Sequence, residues 1–258
     1  MSRPAVLVTG GATRIGGAIS RAFAAAGWHV VIHYRSSAAQ ADELAATLPS
    51  AETVGFDLEN DEAAVGVIRQ LADRLPDWRC LVNSASVFHY DPVTALDPAT
   101  YREAMQVNAL APARMSQAFL AHAASAGART VIQITDMKIE NTNPDFFSYT
   151  MSKHALASTI GMLAKGARGA QDRIYGIAPG AILASHDQRE EETDISHRMN
   201  LLGRKTGADE IADAALFLAT GALASGETLF IDSGQHLLDQ PRDVIWLARE
   251  LAAEARNP

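Results

Sequence analysis

Cysteine is almost absent. Cys80 is the one thiol in 258 residues, so no intrachain disulfide can form, and a chain of this length can bury a sizeable core without such staples. That fits a reducing, cytoplasmic setting. An excess of positive charge is missing too: 22 Lys and Arg stand against 30 Asp and Glu, for a net charge of -8, and no basic block runs along the chain. A nucleic-acid backbone demands such a block, which sets nucleic-acid binding aside. No apolar run approaches the ~20 residues of a membrane-spanning helix, and the opening MSRPAVLVTGG is broken by glycine before it could act as a secretory core. Cys80, His89, His122, His154, His186, His197 and His236 stand at spacings that match no compact metal site. With 48% hydrophobic and 20% charged residues, the composition is that of a soluble enzyme or binding domain.

What is present is an alternation. Residues 5–9, AVLVT, run apolar and stop at two glycines, as a strand covered on both faces would. Helical spacing follows over 15–26, then a strand at 29–34, a helix over 38–48, a strand at 52–56, a helix over 60–75 and a strand at 80–85. A long helix is predicted over 98–125, bent at Pro112 because proline removes a backbone bond. Strands at 129–135, 173–177 and 228–234 and helices at 149–168, 209–219 and 241–255 complete the series. The polar stretch 184–200 breaks the rhythm and suggests a substrate lid over about 184–205. With no Gly/Ser/Pro-rich linker and no repeat, one doubly wound α/β domain spanning 1–258 accounts for the chain.

TGGATRIGG at 9–17 falls between the first strand and first helix, where backbone donors and the helix N-terminus can cradle a phosphate. Gly10, Arg14, Ile15 and Gly16 are its candidate cofactor contacts. A dinucleotide fold that takes the non-phosphorylated cofactor usually has an acid at the end of the second strand. Here HYRSS at 33–37 supplies Tyr34, Arg35 and Ser36 instead, and Arg35 can fork a 2'-phosphate, which points to NADPH. The alternative is that Arg35 is a solvated residue past a strand end. After the third strand, Asp57, beside Leu58, can accept from the adenine amino group.

Tyr149 and Lys153 are four apart on a predicted helix and share a face. The Lys153 ammonium would stabilise a Tyr149 phenolate and ease proton transfer. Together with NSAS at 83–86, NALAP at 108–112 and the glycine turn, this pair resembles the short-chain dehydrogenase/reductase family over residues 5 to 235. The resemblance implies a Rossmann-type fold with a mostly parallel sheet and helices on both faces. It implies that Tyr149 donates a proton, Lys153 binds the nicotinamide ribose, Asn108 holds a water on the relay, and Asn83, Ala85, Pro179 and Gly180 contact cofactor. A homotetramer is also implied; the tail after Gly234 could dock on a neighbour or cover its own subunit.

Two departures narrow the resemblance. Arg14 replaces a usual glycine and Asp136 a usual catalytic serine, as in the pteridine reductase branch, which HYRSSAAQADELAATL at 33–48 also resembles. In that branch Arg14 would face pyrophosphate and pterin, Asp136 would work with Tyr149, Ser86 would bond cofactor or pterin, and Phe88 would stack on the pterin. A carboxylic acid can pass a proton where a serine can only orient, which suits reduction of a C=N bond. The expected activity is NADPH-dependent reduction of a dihydropterin or dihydrofolate. The alternatives are a carbonyl reductase of the same family and a cofactor-sensing module without catalysis. Residue by residue, Asp136 could instead be a cap, Phe88 core filling, and Arg14 held by phosphate alone.

Overall fold

In the computed structural model, residues 3–167, 169–182, 184 and 188–256 are described. The four strands that lead the chain are β1 (Ala5–Val8), β2 (His29–Tyr34), β3 (Ala51–Gly55) and β4 (Trp78–Asn83); β5 (Arg129–Ile134), β6 (Asp172–Pro179) and β7 (Thr228–Ile231) follow. They form one sheet in the order β3-β2-β1-β4-β5-β6-β7, and all six pairings are parallel. This is the doubly wound sheet expected from the alternation of elements.

Strand alternation feeds two cores. Val6 and Val8 pack with Ile19 and Phe23 of α1 (Arg14–Ala25) and with Ile211 and Leu218 of α8 (Ala208–Ala219). Leu7 faces the other way, onto Ile68 and Leu71 of α3 (Asp61–Arg74) and Met115 and Phe119 of α5 (Ala111–His122). Each such fully buried side chain contributes about 2 kcal/mol of transfer free energy. The strand order reverses direction between β1 and β4, so the helices after β1 and β4 leave on opposite faces and a crevice opens at the carboxyl ends of these strands.

The helix expected over 98–125 is two helices, α4 (Pro98–Met105) and α5, joined by a π-turn over Gln106–Leu110. The irregularity precedes Pro112 instead of centring on it. Proline fits the first turn of α5, and having no N–H it offers no α-helical bond to the Asn108 carbonyl one turn back. Strand β4 ends at Asn83, so Ser84 and Ala85 of the strand expected at 80–85 lie beyond it. Strand β7 ends at Ile231, short of the expected 234, because Ser233 and Gly234 take left-handed φ of 54° and 81°.

Helix α2 (Ala38–Thr47) and α6 (Phe147–Gly166) complete the central set, and α7 (Glu190–His197) lies within the polar stretch. Leu183, Ser185, His186 and Asp187 of the expected lid lie outside the described residues. The last helix, α9 (Val244–Arg256), packs on α7 of its own chain. Among the described residues no helix is long and apolar enough to cross a membrane.

Candidate active site

A cavity of about 750 Å³ opens at the carboxyl ends of the strands. Its first half is the glycine turn. Gly10 has φ +61°, and a Cβ on Gly16 would lie 2.1 Å from the Gly10 carbonyl oxygen, so the chain there can close only on glycine. Thr13 makes no side-chain cap to α1, and no acid stands in the first turn of that helix. Its N–H groups and positive dipole end are therefore open to an anion. Arg14 holds a left-handed φ of 52°, a conformation costing about 1–2 kcal/mol for a residue with a side chain. Its guanidinium donates to the Ala184 carbonyl at 3.4 Å, which ties the glycine turn to the chain after β6.

His33 braces this turn, although nothing in its apolar strand context singled it out. Its Nδ1 accepts the Gly10 N–H at 3.0 Å and its Nε2 lies 3.0 Å from the Phe56 carbonyl. The second bond needs a proton on Nε2, so the neutral Nε2–H tautomer satisfies both partners. Burial lowers its pKa to about 4, which keeps that tautomer through the neutral range.

Tyr34, Arg35, Ser36, Asp57, Leu58 and Ala85 line the same half, with Ile15. Arg35 reaches Glu59 at only 3.5 Å, and both side chains are about half exposed; such a pair holds weakly and leaves the guanidinium able to meet a phosphate. Asp57 has one oxygen on the Glu59 N–H at 2.9 Å. Pro179 and Gly180 also line the cavity. The uncapped helix start, the glycine cradle and the cation after β2 fit a dinucleotide bearing a 2'-phosphate.

Two residues expected at the site, Asn83 as a cofactor contact and Asn108 as the holder of a relay water, lie behind the wall. Asn83 does not line the cavity: its amide donates to Ser116 Oγ at 3.1 Å and Gln133 Oε1 at 2.9 Å, which cross-links β4, α5 and β5. Asn108 is also buried away from it. Its oxygen accepts from Val87 N–H and Ser86 hydroxyl, and its NH2 donates to the Val87 carbonyl and Ser152 Oγ. All four side-chain positions are spent on protein partners, so the side chain is a strut for the Ser86–Val87 loop.

The second half holds the reactive groups. The Tyr149 hydroxyl donates to Asp136 Oδ2 at 2.6 Å, and Asp136 Oδ1 accepts the Lys138 N–H at 2.9 Å. Asp136 is thus a cap and a tyrosine partner at once. Burial raises its pKa, against the pull of Lys138, Tyr149 and Lys153. Tyr149 is pushed well above the usual phenol range by burial and then by Asp136. The Lys153 ammonium donates to the Ile134 carbonyl at 2.9 Å and stands 5.6 Å from the Tyr149 ring centre; burial lowers its pKa to about 8. Both effects on Tyr149 favour its protonated hydroxyl.

Phe88 is 39% exposed, which is not core filling. Its ring stacks on Phe146 at 4.1 Å and meets the Tyr149 ring edge-on at 4.6 Å. Ser86 lines the cavity beside it. Phe146, with a left-handed φ of 55°, ends the loop before α6. Lys138, Phe146, Asp243, Trp246 and Arg249 also line this half; the sequence carried no periodic or motif signal for them. Among the described residues no group of three His, Cys, Asp or Glu side chains could hold a metal ion.

Residues 10–236 match the family described as enoyl-(acyl carrier protein) reductase, and the chain belongs to that family of short-chain dehydrogenase/reductase oxidoreductases. It is an enzyme of that class. Similar solved structures include an alternative dihydrofolate reductase 1 (FolM) of Brucella canis complexed with NADP, 33% identical, with a TM-score of 0.85 over 91% of this chain and 94% of that one. Pteridine reductase 1 of Leishmania tarentolae is 29% identical over 91% of this chain and 96% of its own length. Galactitol 2-dehydrogenase (L-tagatose-forming) of Cereibacter sphaeroides is 32% identical over 88% and 92%. The similarity thus spans pterin and sugar chemistry.

Proposed function

We propose that the chain is an NADPH-dependent reductase that converts a dihydropterin, of the dihydromonapterin, dihydrobiopterin or dihydrofolate kind, to its tetrahydro form. The observation that carries this reading is the Asp136 carboxyl at 2.6 Å from the Tyr149 hydroxyl, beside the exposed Phe88 ring. NADP(H) is the cofactor, held by the glycine turn, Arg35 and Lys153, and when bound it supplies hydride to the carbon of a C=N bond. Negative charge then develops on nitrogen, and Tyr149 places its proton there. Asp136, which burial keeps nearer its protonated form, donates to the Tyr149 oxygen in turn, and Lys153 at about 8 keeps positive charge next to the pair. Phe88 gives a flat ring its stacking partner.

A carbonyl reductase remains the second reading, favoured by the sugar dehydrogenase relative and by a Tyr149–Lys153 pair that serves ketones equally well. Steady-state rates with NADPH on dihydropterins, dihydrofolate and ketones test the two. Asp136→Ser should lower dihydropterin turnover by ~100-fold while sparing any ketone reduction; turnover of ketones alone by the parent enzyme overturns the pterin reading.

A further inference from the structure

Near the catalytic pair lies a second buried charge pair that the proton transfer does not itself use. Lys138 is 3% exposed and Asp243 5%, and Lys138 Nζ sits 2.7 Å from Asp243 Oδ2 while donating to Asn143 Oδ1 at 2.9 Å. Enclosing two ions costs several kcal/mol each before their attraction is counted, and well-packed apolar residues often serve stability as well or better. Stability alone therefore does not account for the pair. Its two ends are tied to different parts of the site. The Lys138 N–H is the group that Asp136 Oδ1 caps at 2.9 Å, at the start of the 3-10 turn Met137–Ile139. Asp243 Oδ1 accepts the Ile245 N–H at 3.0 Å and so starts α9. The Asp243 N–H is held by Asp145 Oδ2 at 2.9 Å, a carboxylate that also takes the Arg242 fork at 2.7 and 2.9 Å.

We propose that Lys138 and Asp243 are positioning residues: their ion pair fixes the turn that aims Asp136 at Tyr149, and makes that aim depend on α9 being docked over the substrate half of the cavity. The proposal rests on Asp136 serving as the proton source behind Tyr149. The charged and titratable groups facing the pair are Asp136, Tyr149 and Lys153, Asp145 and Arg242, and His154, whose Nε2 lies 3.2 Å from the Lys138 carbonyl. Lys138 lowers the Asp136 pKa against burial, and Asp243 raises that of Tyr149. Removing either member therefore leaves the other as an unbalanced charge beside the relay.

The test is the pH profile of kcat together with a 13C carboxyl NMR titration of Asp136 in the NADP-loaded protein. Lys138→Met should raise the Asp136 pKa and Asp243→Asn lower it, each by ~1 unit. In both variants kcat should fall ~10–100-fold, with NADPH affinity within about twofold of the parent. The double variant should bring the pKa back toward the parent and leave kcat low, because charge balance is restored and the tie is not. Unshifted titrations, or shifts of one sign in both single variants, overturn the proposal. If a charge-removing variant does not fold, Lys138→Arg and Asp243→Glu keep the charge and change the reach: kcat lowered ~tenfold supports the proposal, and parent kcat overturns it. The NMR titration needs no substrate, so failure to reduce pterins would sink the substrate reading and leave this one to its own result.

Discussion

The two halves of the cavity are assembled differently. The cofactor half is made where consecutive strands end: Gly10 follows β1, Arg35 follows β2, Asp57 follows β3 and Ala85 follows β4. Topology alone brings these together, because parallel strands with helical crossovers send all their carboxyl ends to one edge. The substrate half draws on remote segments: Phe88 after β4, Asp136 after β5, Phe146 before α6, Asp243 just before α9, and Trp246 and Arg249 from that helix. The first half shows what the sheet provides on its own. The second is where a fold shared by many functions becomes particular.

Substitutions that affect one half and spare the other would sharpen this contrast. The largest effect is expected at Tyr149: Tyr149→Phe should cut kcat by ~10³-fold without changing NADPH affinity measured by fluorescence titration. A matching loss of NADPH affinity would mean the halves are not separable.

His33 comes next and reports on the cofactor half alone. Its folded pKa of about 4 lies below the unfolded value of 6.5, so between these the unfolded chain takes up a proton that the native one refuses. Its contribution is intact above pH 6.5 and is lost as pH falls toward 4, to a total of about 3 kcal/mol. Denaturant unfolding from pH 7 to 4.5 should show this slope in the parent and not in His33→Gln; equal slopes would remove His33 as the cause.

Arg35→Ala should reduce the preference for NADPH over NADH by ~10–100-fold, the worth of a charge-assisted contact. An unaltered ratio of kcat/KM values would leave Arg35 a solvated residue. The smallest effect is expected for Phe88→Ala, whose lost ring stacking, about 1 kcal/mol, should raise the pterin KM roughly fivefold. NADPH KM should stay as it was, and a shift there instead would place Phe88 in the wrong half.

How much of this was legible follows the same division. Glycines at 10, 11, 16 and 17 after an apolar run mark a phosphate turn because a Cβ would strike neighbouring backbone at Gly16 and at Gly11, 2.7 Å from the Val8 carbonyl oxygen. The Tyr149 and Lys153 spacing marks one helix face. By contrast, the π-turn at Gln106–Leu110 has no periodic signature, and the helix over 98–125 reads as continuous until Pro112 is seen to start α5. Asn83 looked like a cofactor ligand from its motif, yet its side chain points at Ser116 and Gln133. Motif position gives the strand end and says nothing of which way a side chain has turned.

By itself, then, the sequence determined the parallel α/β sheet, the glycine turn after its first strand, the presence of a cation after the second strand and the presence of a tyrosine, a lysine and an aspartate suited to proton transfer. These are properties of local period, spacing and side-chain chemistry. Only the tertiary structure decided that the Tyr149 hydroxyl donates to Asp136, that Lys153 is bound to the Ile134 carbonyl, that the Asn108 side chain braces the Ser86–Val87 loop, and that Lys138 pairs with Asp243. Those facts depend on which buried polar groups find each other once water is gone. That is settled by packing between segments far apart in the chain, such as the Asp145 and Arg242 pair 97 residues distant.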